Sequence, residues 1–548
     1  MATKGQRVVG IDFGTSTTLV AERNGAGHTS VLPIGETTPW LPSVVGIDED
    51  GQLCVGERAQ RLPLERSVSS VKSRLTERTH EVETQAGTIA VADAIAAILS
   101  EVIARAESVQ PGMFDDAEIY LGCPALWTGD ERKLLVDIAA SLGLDVDVGQ
   151  VIDEPVAAGL SWLQERWMTS GRRPNGKAVV FDAGGGTLDV AYLNVVGTEQ
   201  PEMTVLSAEG VAESGDLLDQ SIARDLLSQL SDSADDPFIE RLLSERAREL
   251  KEALSFELSR QVALGGNTDT ILRYERDQLE AVFDPQLARA MRLVESAVRG
   301  SLLRLLQPLD PARIRAEPWA GLAHDVGHVA LVGGLSLVPA VRTRIQQLLP
   351  AAEIDSVTAP QESVVRGLAN GDQLAQLNLP RPPIDFCVAF EGLARQPSDS
   401  WLAENRVVYR AFTPLYSRQQ LALGESPLSF SADIPIPPGN HNEFTISITC
   451  EVPDRRRTPL RISFYDPEND SISVDDAIRL RHQGSRRARL NLYSSGDIVV
   501  SSSHQSHRAR IATWPRIRGR FHDWDAEIKL EKPGLMKASA TYDNWRYK

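Results

Sequence analysis

The central stretch Val179-Val180-Phe181-Asp182-Ala183-Gly184-Gly185-Gly186-Thr187-Leu188-Asp189 runs an apolar segment into a carboxylate, three glycines and a hydroxyl. Glycines carry no Cβ, so backbone N–H groups there can approach an anion closely. Asp182, at the end of the apolar segment, is placed to hold a magnesium ion through water, and Thr187 to donate its hydroxyl to a phosphate oxygen. A glycine triplet alone serves a tight hairpin equally well. A second copy shifts the balance: Val8-Val9-Gly10-Ile11-Asp12-Phe13-Gly14-Thr15-Ser16-Thr17-Thr18 repeats the order strand, Asp, Gly, hydroxyl residues, strand. Two carboxylates facing one polyphosphate would repel it unless a divalent cation sat between them, so the pair predicts a metal–nucleotide ligand. The chain has no G-x-x-x-x-G-K-[ST] sequence, which excludes a P-loop.

Such turns must be held by strands that enter and leave them. Residues 179–181 and 190–193 read as one such pair, and residues 7–55 as a β-meander broken at Asn24-Gly25, Pro33, residues 39–42 and Asp50-Gly51. Residues 92–106 place Ala94, Ile95, Ile98, Leu99, Val102 and Ile103 on one stripe of a helix, and residues 118–122 form a strand ending at Cys123-Pro124. At 548 residues the chain exceeds one core, and two to four domains are expected. With 42% apolar and 24% charged residues it is neither disordered nor fibrous. Residues 1–371 carry 33 basic against 54 acidic side chains and residues 372–548 carry 24 against 21, which speaks against nucleic acid as a ligand of the first part. No run of 18 apolar residues and no signal peptide is read, so a cytoplasmic protein away from membranes is expected. Cys54, Cys123, Cys387 and Cys450 form no CxxC pair and are expected as buried free thiols.

Three further stretches join the two turns. Val151-Ile152-Asp153-Glu154-Pro155-Val156-Ala157-Ala158-Gly159, Val329-Ala330-Leu331-Val332-Gly333-Gly334-Leu335-Ser336 and Ala359-Pro360-Gln361-Glu362-Ser363-Val364-Val365-Arg366-Gly367 follow in order. Together the five resemble the seventy-kilodalton heat-shock, DnaK-like chaperones of the actin and sugar kinase ATPase superfamily, matching their two phosphate turns, connecting segment, adenosine turn and closing helix. The resemblance covers residues 7–371. It implies an α/β fold, an actin-like two-lobed ATPase domain of duplicated ribonuclease H-like halves, with ATP or ADP and Mg2+ as ligands. By the same resemblance Asp12, Thr15, Glu154, Asp182 and Thr187 are catalytic, and Asp12 and Asp182 hold the metal through water. Nucleotide binding falls to Gly14, Thr15, Ser16 and Thr17 in the first turn and to Gly184, Gly185, Gly186 and Thr187 in the second. Gly215, Lys251 and Ser255, with Gly333 and Gly334, complete it. Alignment on Gly56-Glu57-Arg58-Ala59 puts Gln60 where the family has the lysine that positions the attacking water. Loss of such a group typically costs about 10²–10³ in rate, so weak ATPase activity is expected. Leu337 replaces the arginine that flanks adenine. Pro124 and Arg132 match a proline–arginine relay, although a solvated arginine at a helix start is as good a reading of the residues alone.

Pro380, Pro382 and Pro383 make residues 374–383 a stiff linker between a nucleotide-binding domain, 1–373, and a β-rich domain, 384–548, with no helical lid. Strands are expected within 386–390, 443–452, 460–464 and 498–501. The family's leucine run is broken in the linker, where Leu374, Leu377 and Leu379 are separated by polar residues. Arg479 and Arg481, Arg487 and Arg489, Arg508 and Arg510, and Arg516, Arg518 and Arg520 alternate with apolar residues, with Asp497 the only acid from 478 to 520. Period two predicts these arginines on one face of neighbouring strands. That face would be solvated, dock on the acidic ATPase part, or bind an acidic partner such as nucleic acid or an anionic protein. The resemblance implies a protein or peptide client switched by Mg-ATP, and J-domain or nucleotide-exchange co-factors. Three rivals stay open: a degenerate ATPase serving as scaffold or sensor, an actin-like filament protein, and a sugar-kinase type enzyme in which Asp189 activates a hydroxyl acceptor.

Overall fold

The computed structural model describes residues 7–171, 174–196, 202–229, 237–265, 268–304, 311–373, 381–391, 406–416, 429–434, 436, 443–451, 459–460, 462–466, 471–475, 477–483, 487–493, 496–502 and 506–511. The apolar run Val8–Phe13 is a strand buried along its whole length. It pairs antiparallel with Thr17–Arg23 and parallel with Glu118–Cys123, which in turn pairs parallel with Val151–Asp153; Thr29–Val31 adds to the opposite edge. A second sheet repeats this plan. Gly176–Ala183 pairs antiparallel with Leu188–Val196 and parallel with Val326–Val332, with Glu202–Val211 and Glu353–Ser356 at the two edges. In each sheet the Asp–Gly turn joins the central strand to its antiparallel neighbour. Burial on both faces explains why the central strands read as continuous apolar runs rather than alternating ones.

The two lobes meet where the helices Glu154–Ser170 and Ser363–Leu368 pack on each other. Gly367 permits the crossing, since a Cβ there would stand 1.8 Å from the Ala157 carbonyl oxygen. Val156, Ala157, Val364 and Leu368 share one buried cluster with Val180 and Leu193 of the second sheet and Val8 of the first. Each buried valine or leucine among them contributes roughly 1.5–3 kcal/mol by leaving water, so the closing helix ties residues near 365 firmly to both lobes.

One expectation for the first lobe is corrected. Residues 7–55 are not one meander: Val45–Ile47 leaves the first sheet and becomes the centre of a sheet of three strands, between Leu53–Val55 and Ser67–Val68. Leu41–Pro42 adds only two residues to the main sheet, and Pro42 has no N–H with which to extend that ladder. The helix predicted over 92–106 spans Val91–Val109 and buries Ala94, Ile95, Ile98, Leu99 and Val102.

Beyond Asp385 the described strands form two sheets. They face each other across a core that takes Phe386, Ile446 and Ile448 from one and Leu490, Ile498 and Val500 from the other. The single arginine face is a second correction. Arg479 and Arg481 stand on Ala477–Gln483, which pairs with Glu443–Glu451 in the first of these sheets. Arg489, Arg508 and Arg510 stand on Ala488–Tyr493 and Ser506–Ile511 in the other, with Arg487 just before them. Period two decides which side of its own strand a residue takes, not which sheet that strand joins. Arg516, Arg518 and Arg520 lie outside the described residues. Among the described residues no helix is long and apolar enough to cross a membrane, and all four cysteines are buried and outside any disulfide.

Candidate functional site

The two Asp–Gly turns have the same backbone closure. The Gly14 N–H donates to the Thr17 carbonyl at 3.1 Å, and the Gly184 N–H to the Thr187 carbonyl at 3.1 Å. They face each other at contact distance. A Cβ at Gly185 would lie 2.3 Å from Ser16 Oγ, and one at Gly186 would lie 2.7 Å from Thr15 Oγ1 and 2.5 Å from Ser73 Oγ. Glycine is therefore required in the central turn because the hydroxyls of the first turn and of Ser73 fill the space a side chain would need. Asp12, Thr15, Glu154, Asp182 and Thr187 are all buried.

Four carboxylates, Asp12, Glu154, Asp182 and Asp189, converge on this seam, and the buried cation that answers them is Lys72. Its ammonium pairs with Glu154 and lies 5.9 Å from the ring centroids of both Phe13 and Trp127. Burial opposes the charge on Lys72, yet Glu154 and Asp12 outweigh it and hold the ammonium above its ordinary range. One ammonium does not balance four acids. Burial, with Glu154 beside it, pushes Asp12 up to about 7 against the pull of Lys72. Asp189 also rises to about 7, through burial and Glu154, although the Thr187 hydroxyl and the Ala125 N–H, at 2.8 Å, both donate to it. Asp182 is driven well above the carboxylate range by burial and by Glu154, Asp189 and Asp12. A pocket that holds carboxylates partly protonated against their nature is one that a cation would relieve.

Gln60 does not reach this seam, and Lys72 does. Gln60 ends the short helix Gly56–Gln60 with its side chain in solvent, and the neighbouring Arg61 pairs with Glu36 at the surface. The chain then runs through Leu64–Arg66, Ser67–Val68 and a left-handed Ser70 (φ 57°) before the helix Val71–Thr76 turns Lys72 inward. An anchor on the preceding glycine turn could not foresee those intervening elements. A signal was available all the same: Lys72 is the sole lysine between Lys4 and Lys133, set between Val71 and Leu75 of one apolar stripe. Asp189, the base a rival enzyme would use, joins the carboxylates of the seam, and Ser73 stands against Gly186, a neighbour that no motif in the sequence marks.

Around this centre the remaining predicted residues divide. The Gly215 N–H donates to the Gly184 carbonyl at 3.2 Å and the Asp216 N–H to Gly185 at 2.7 Å, so the start of the helix Gly215–Ser228 braces the central turn. Lys251 reaches the same place, 3.2 Å from the Gly215 carbonyl and 2.8 Å from Asp219. Ser255 instead turns its hydroxyl back to the Lys251 carbonyl at 2.9 Å. Gly333, with a φ of 77°, lies so close to the central turn that a Cβ would stand 2.3 Å from the Ala183 carbonyl and 2.7 Å from Asp182 Oδ1. Gly334 follows beside Gln361, and Leu337, half-buried, ends the 3-10 turn Gly334–Leu337. Thr17 contributes its carbonyl to the first turn. Ser70 closes the mouth of the cleft by donating to Asp216 of the second lobe at 2.6 Å. Arg132 is not solvated: it is 1% exposed, pairs with Asp153, and donates to the Val151 carbonyl at 2.9 Å, in the strand that leads into Glu154.

Comparison with known proteins agrees with this geometry. The family model described as Hsp70 protein matches residues 63–374. The chain is 26% identical over 374 residues to the chaperone protein DnaK of Thermosipho melanesiensis, a match covering 67% of this chain and 59% of that protein. It is 27% identical over 373 residues to the DnaK of Thermosipho africanus, with the same coverage of each. The chain thus matches about 59% of the length of these relatives. Paired sheets of one strand order and two Asp–Gly turns across a cleft are the actin-like α/β fold of the Hsp70 ATPase domain, and this chain belongs to the Hsp70 family.

Proposed function

We propose that this protein binds Mg-ATP between the two Asp–Gly turns, hydrolyses it slowly, and uses the change to control a protein or peptide partner through its C-terminal β domain. The single observation that carries the reading is Lys72 set among Asp12, Glu154, Asp182 and Asp189 in the buried seam. Those four acids fit a magnesium ion held through water. Among the described residues no group of three acidic, histidine or cysteine side chains stands close enough to hold an ion directly. Bound there, the ion would neutralise phosphate charge and let nucleotide enter an acidic cleft.

The chain's own groups take the following parts. Backbone N–H groups and hydroxyls of residues 14–17 and 184–187 hold the phosphates, and Gly215, Lys251, Gly333 and Gly334 line the path of the nucleoside. Lys72 positions the attacking water and stabilises charge at the transferred phosphate, while Glu154 holds Lys72 in place and is poised to take a proton from that water. Gln60, exposed at the end of its short helix, takes no part in turnover. Leu337 leaves adenine an apolar rather than a cationic neighbour, which favours modest affinity. Residues 1–373 form the nucleotide-binding domain, 374–383 the linker and 384–548 the partner domain, read as β-rich and without a helical lid. A client, J-domain and exchange co-factors are the partners this reading expects.

Nucleotide binding and single-turnover hydrolysis on the full chain test it. Lys72→Ala is expected to keep Mg-ATP binding and lower the rate of hydrolysis by about 10²–10³. Asp182→Asn is expected to lose the magnesium dependence of binding. Hydrolysis by Lys72→Ala at the wild-type rate would overturn the role given to Lys72, and Mg-ATP binding without turnover in the wild type would favour the scaffold reading.

A further inference from the structure

The loop that follows the strand Arg406–Tyr409 does not stay within the β domain. Phe412 is 3% exposed and belongs to the apolar core of the first lobe, together with Trp127, Leu135 and Ile138. Its ring lies 4.2 Å from the guanidinium carbon of Arg132. To reach this place Phe412 holds a left-handed backbone, φ 63°, which a bulky residue keeps only where its surroundings compel it. The Ala411 carbonyl lies where a Cβ of Gly129 would stand, 2.5 Å away, at the start of the helix Gly129–Ser141. Arg410 pairs with Asp130 of the same helix at 3.2 Å.

The linker end backs this seat. The Phe412 N–H donates to the Pro382 carbonyl at 2.8 Å, and the Ala411 N–H to Asp385 at 2.7 Å. Arg381 is 6% exposed and donates to the Ala125 carbonyl. The N–H of that same Ala125 is bound by Asp189 of the second lobe at 2.8 Å. One residue of the first lobe is thereby gripped from one side by the linker and from the other by a carboxylate of the cleft. On the other side of the loop, Tyr416 reaches the second lobe at Gly300, with 3.1 Å between its hydroxyl and the position of a Cβ.

We infer that the C-terminal β domain is a fixed extension of the first lobe, seated by Phe412 on Arg132. Nucleotide-driven movement is then taken up between this unit and the second lobe, at Arg381, Ala125 and Asp189. Among the described residues, Arg410, Ala411 and Phe412 hold to Asp130, Gly129 and Arg132 of the first lobe and to Pro382 and Asp385 at the foot of the β domain, whereas the second lobe is met at the Ala125 peptide and at Gly300 beside Tyr416. A domain whose aromatic anchor is part of a lobe's own core does not part from it each time the cleft opens. The nucleotide arm of this inference rests on the function proposed above.

Because the native thiols are all buried, spin labels can be placed on introduced surface cysteines of the full chain. The pair Lys133→Cys with Arg481→Cys spans the first lobe and the β domain, and Arg273→Cys with Arg481→Cys spans the second lobe and the β domain. The first distance is expected to be single and unchanged by nothing added, Mg-ADP or Mg-ATP, and the second to shift with nucleotide. A first distance that broadens or moves with Mg-ATP would overturn the fixed seat. Phe412→Ala is expected to broaden the first distance without any nucleotide, and an unchanged distribution in that variant would overturn the role of Phe412. Nucleotide affinity is measured on the same labelled chains. Absence of binding sinks the proposed function, while the Phe412→Ala comparison still decides the seat.

Discussion

The nucleotide cleft and the outer surface of the β domain are both rich in charge, and they treat it in opposite ways. In the cleft, four carboxylates and one lysine lie buried and unequal, so the acids are forced upward in pKa. On the β domain, Arg508 and Arg510 share Asp497, at 2.9 and 2.8 Å, and Arg489 meets Asp433 at 3.0 Å. Charge there is settled in pairs within one sheet, Arg489 with Asp433 in water and Arg508 and Arg510 on the buried Asp497. The difference teaches where a ligand is wanted: a buried imbalance is relieved only by something that arrives, whereas arginines already paired ask for nothing. The described arginines of residues 479–510 are divided between two sheets and present no single face to an acidic partner.

The sharpest way to break this comparison is Lys72→Ala set beside Arg508→Ala, both read by single-turnover hydrolysis. About 10²–10³ is expected from the first and no change from the second. Next comes pH. Asp12 and Asp189 have folded pKa values near 7, above their unfolded values near 4, so between those limits the folded state binds more protons than the unfolded one. Stability without ligand should therefore fall as pH rises from about 4 through 7, the reverse of the usual salt-bridged carboxylate. Asp12→Asn and Asp189→Asn should flatten that slope and raise Tm at pH 8, by roughly 2–4 °C for each kcal/mol relieved. Thermal melts across pH check this, and a stability that climbs over the same window would refute the account of the cleft. The smallest effect is expected from Arg489→Ala, where loss of an exposed pair should cost under about 1 kcal/mol.

Legibility followed the same divide. Both phosphate turns, the connecting segment at Glu154 and the double glycine at Gly333 stood in the sequence because each needs a fixed residue type at a fixed spacing along one strand or turn. Lys72 was hidden because its place depends on two short elements between residues 61 and 71, whose lengths no motif constrains. Arg132 illustrates a residue that spacing leaves undecided: helix period alone cannot tell an arginine in water from one buried against Asp153 and covered by Phe412.

By itself the sequence determined the local chemistry: strands that deliver Asp12 and Asp182 into glycine turns, an acidic first part, cysteines in no CxxC pair, and the order of five motifs that marks the family. Those properties depend on neighbours along the chain. Only the tertiary structure decided that Lys72 answers the carboxylates, that Ser16 and Ser73 fill the space above Gly185 and Gly186, and that the arginines of residues 478–510 fall on two sheets. It also decided that Phe412 lies in the core of the first lobe. Each of these joins residues distant in sequence, and burial, which sets the energy of a charge or a ring, belongs to the packed chain and not to any segment of it.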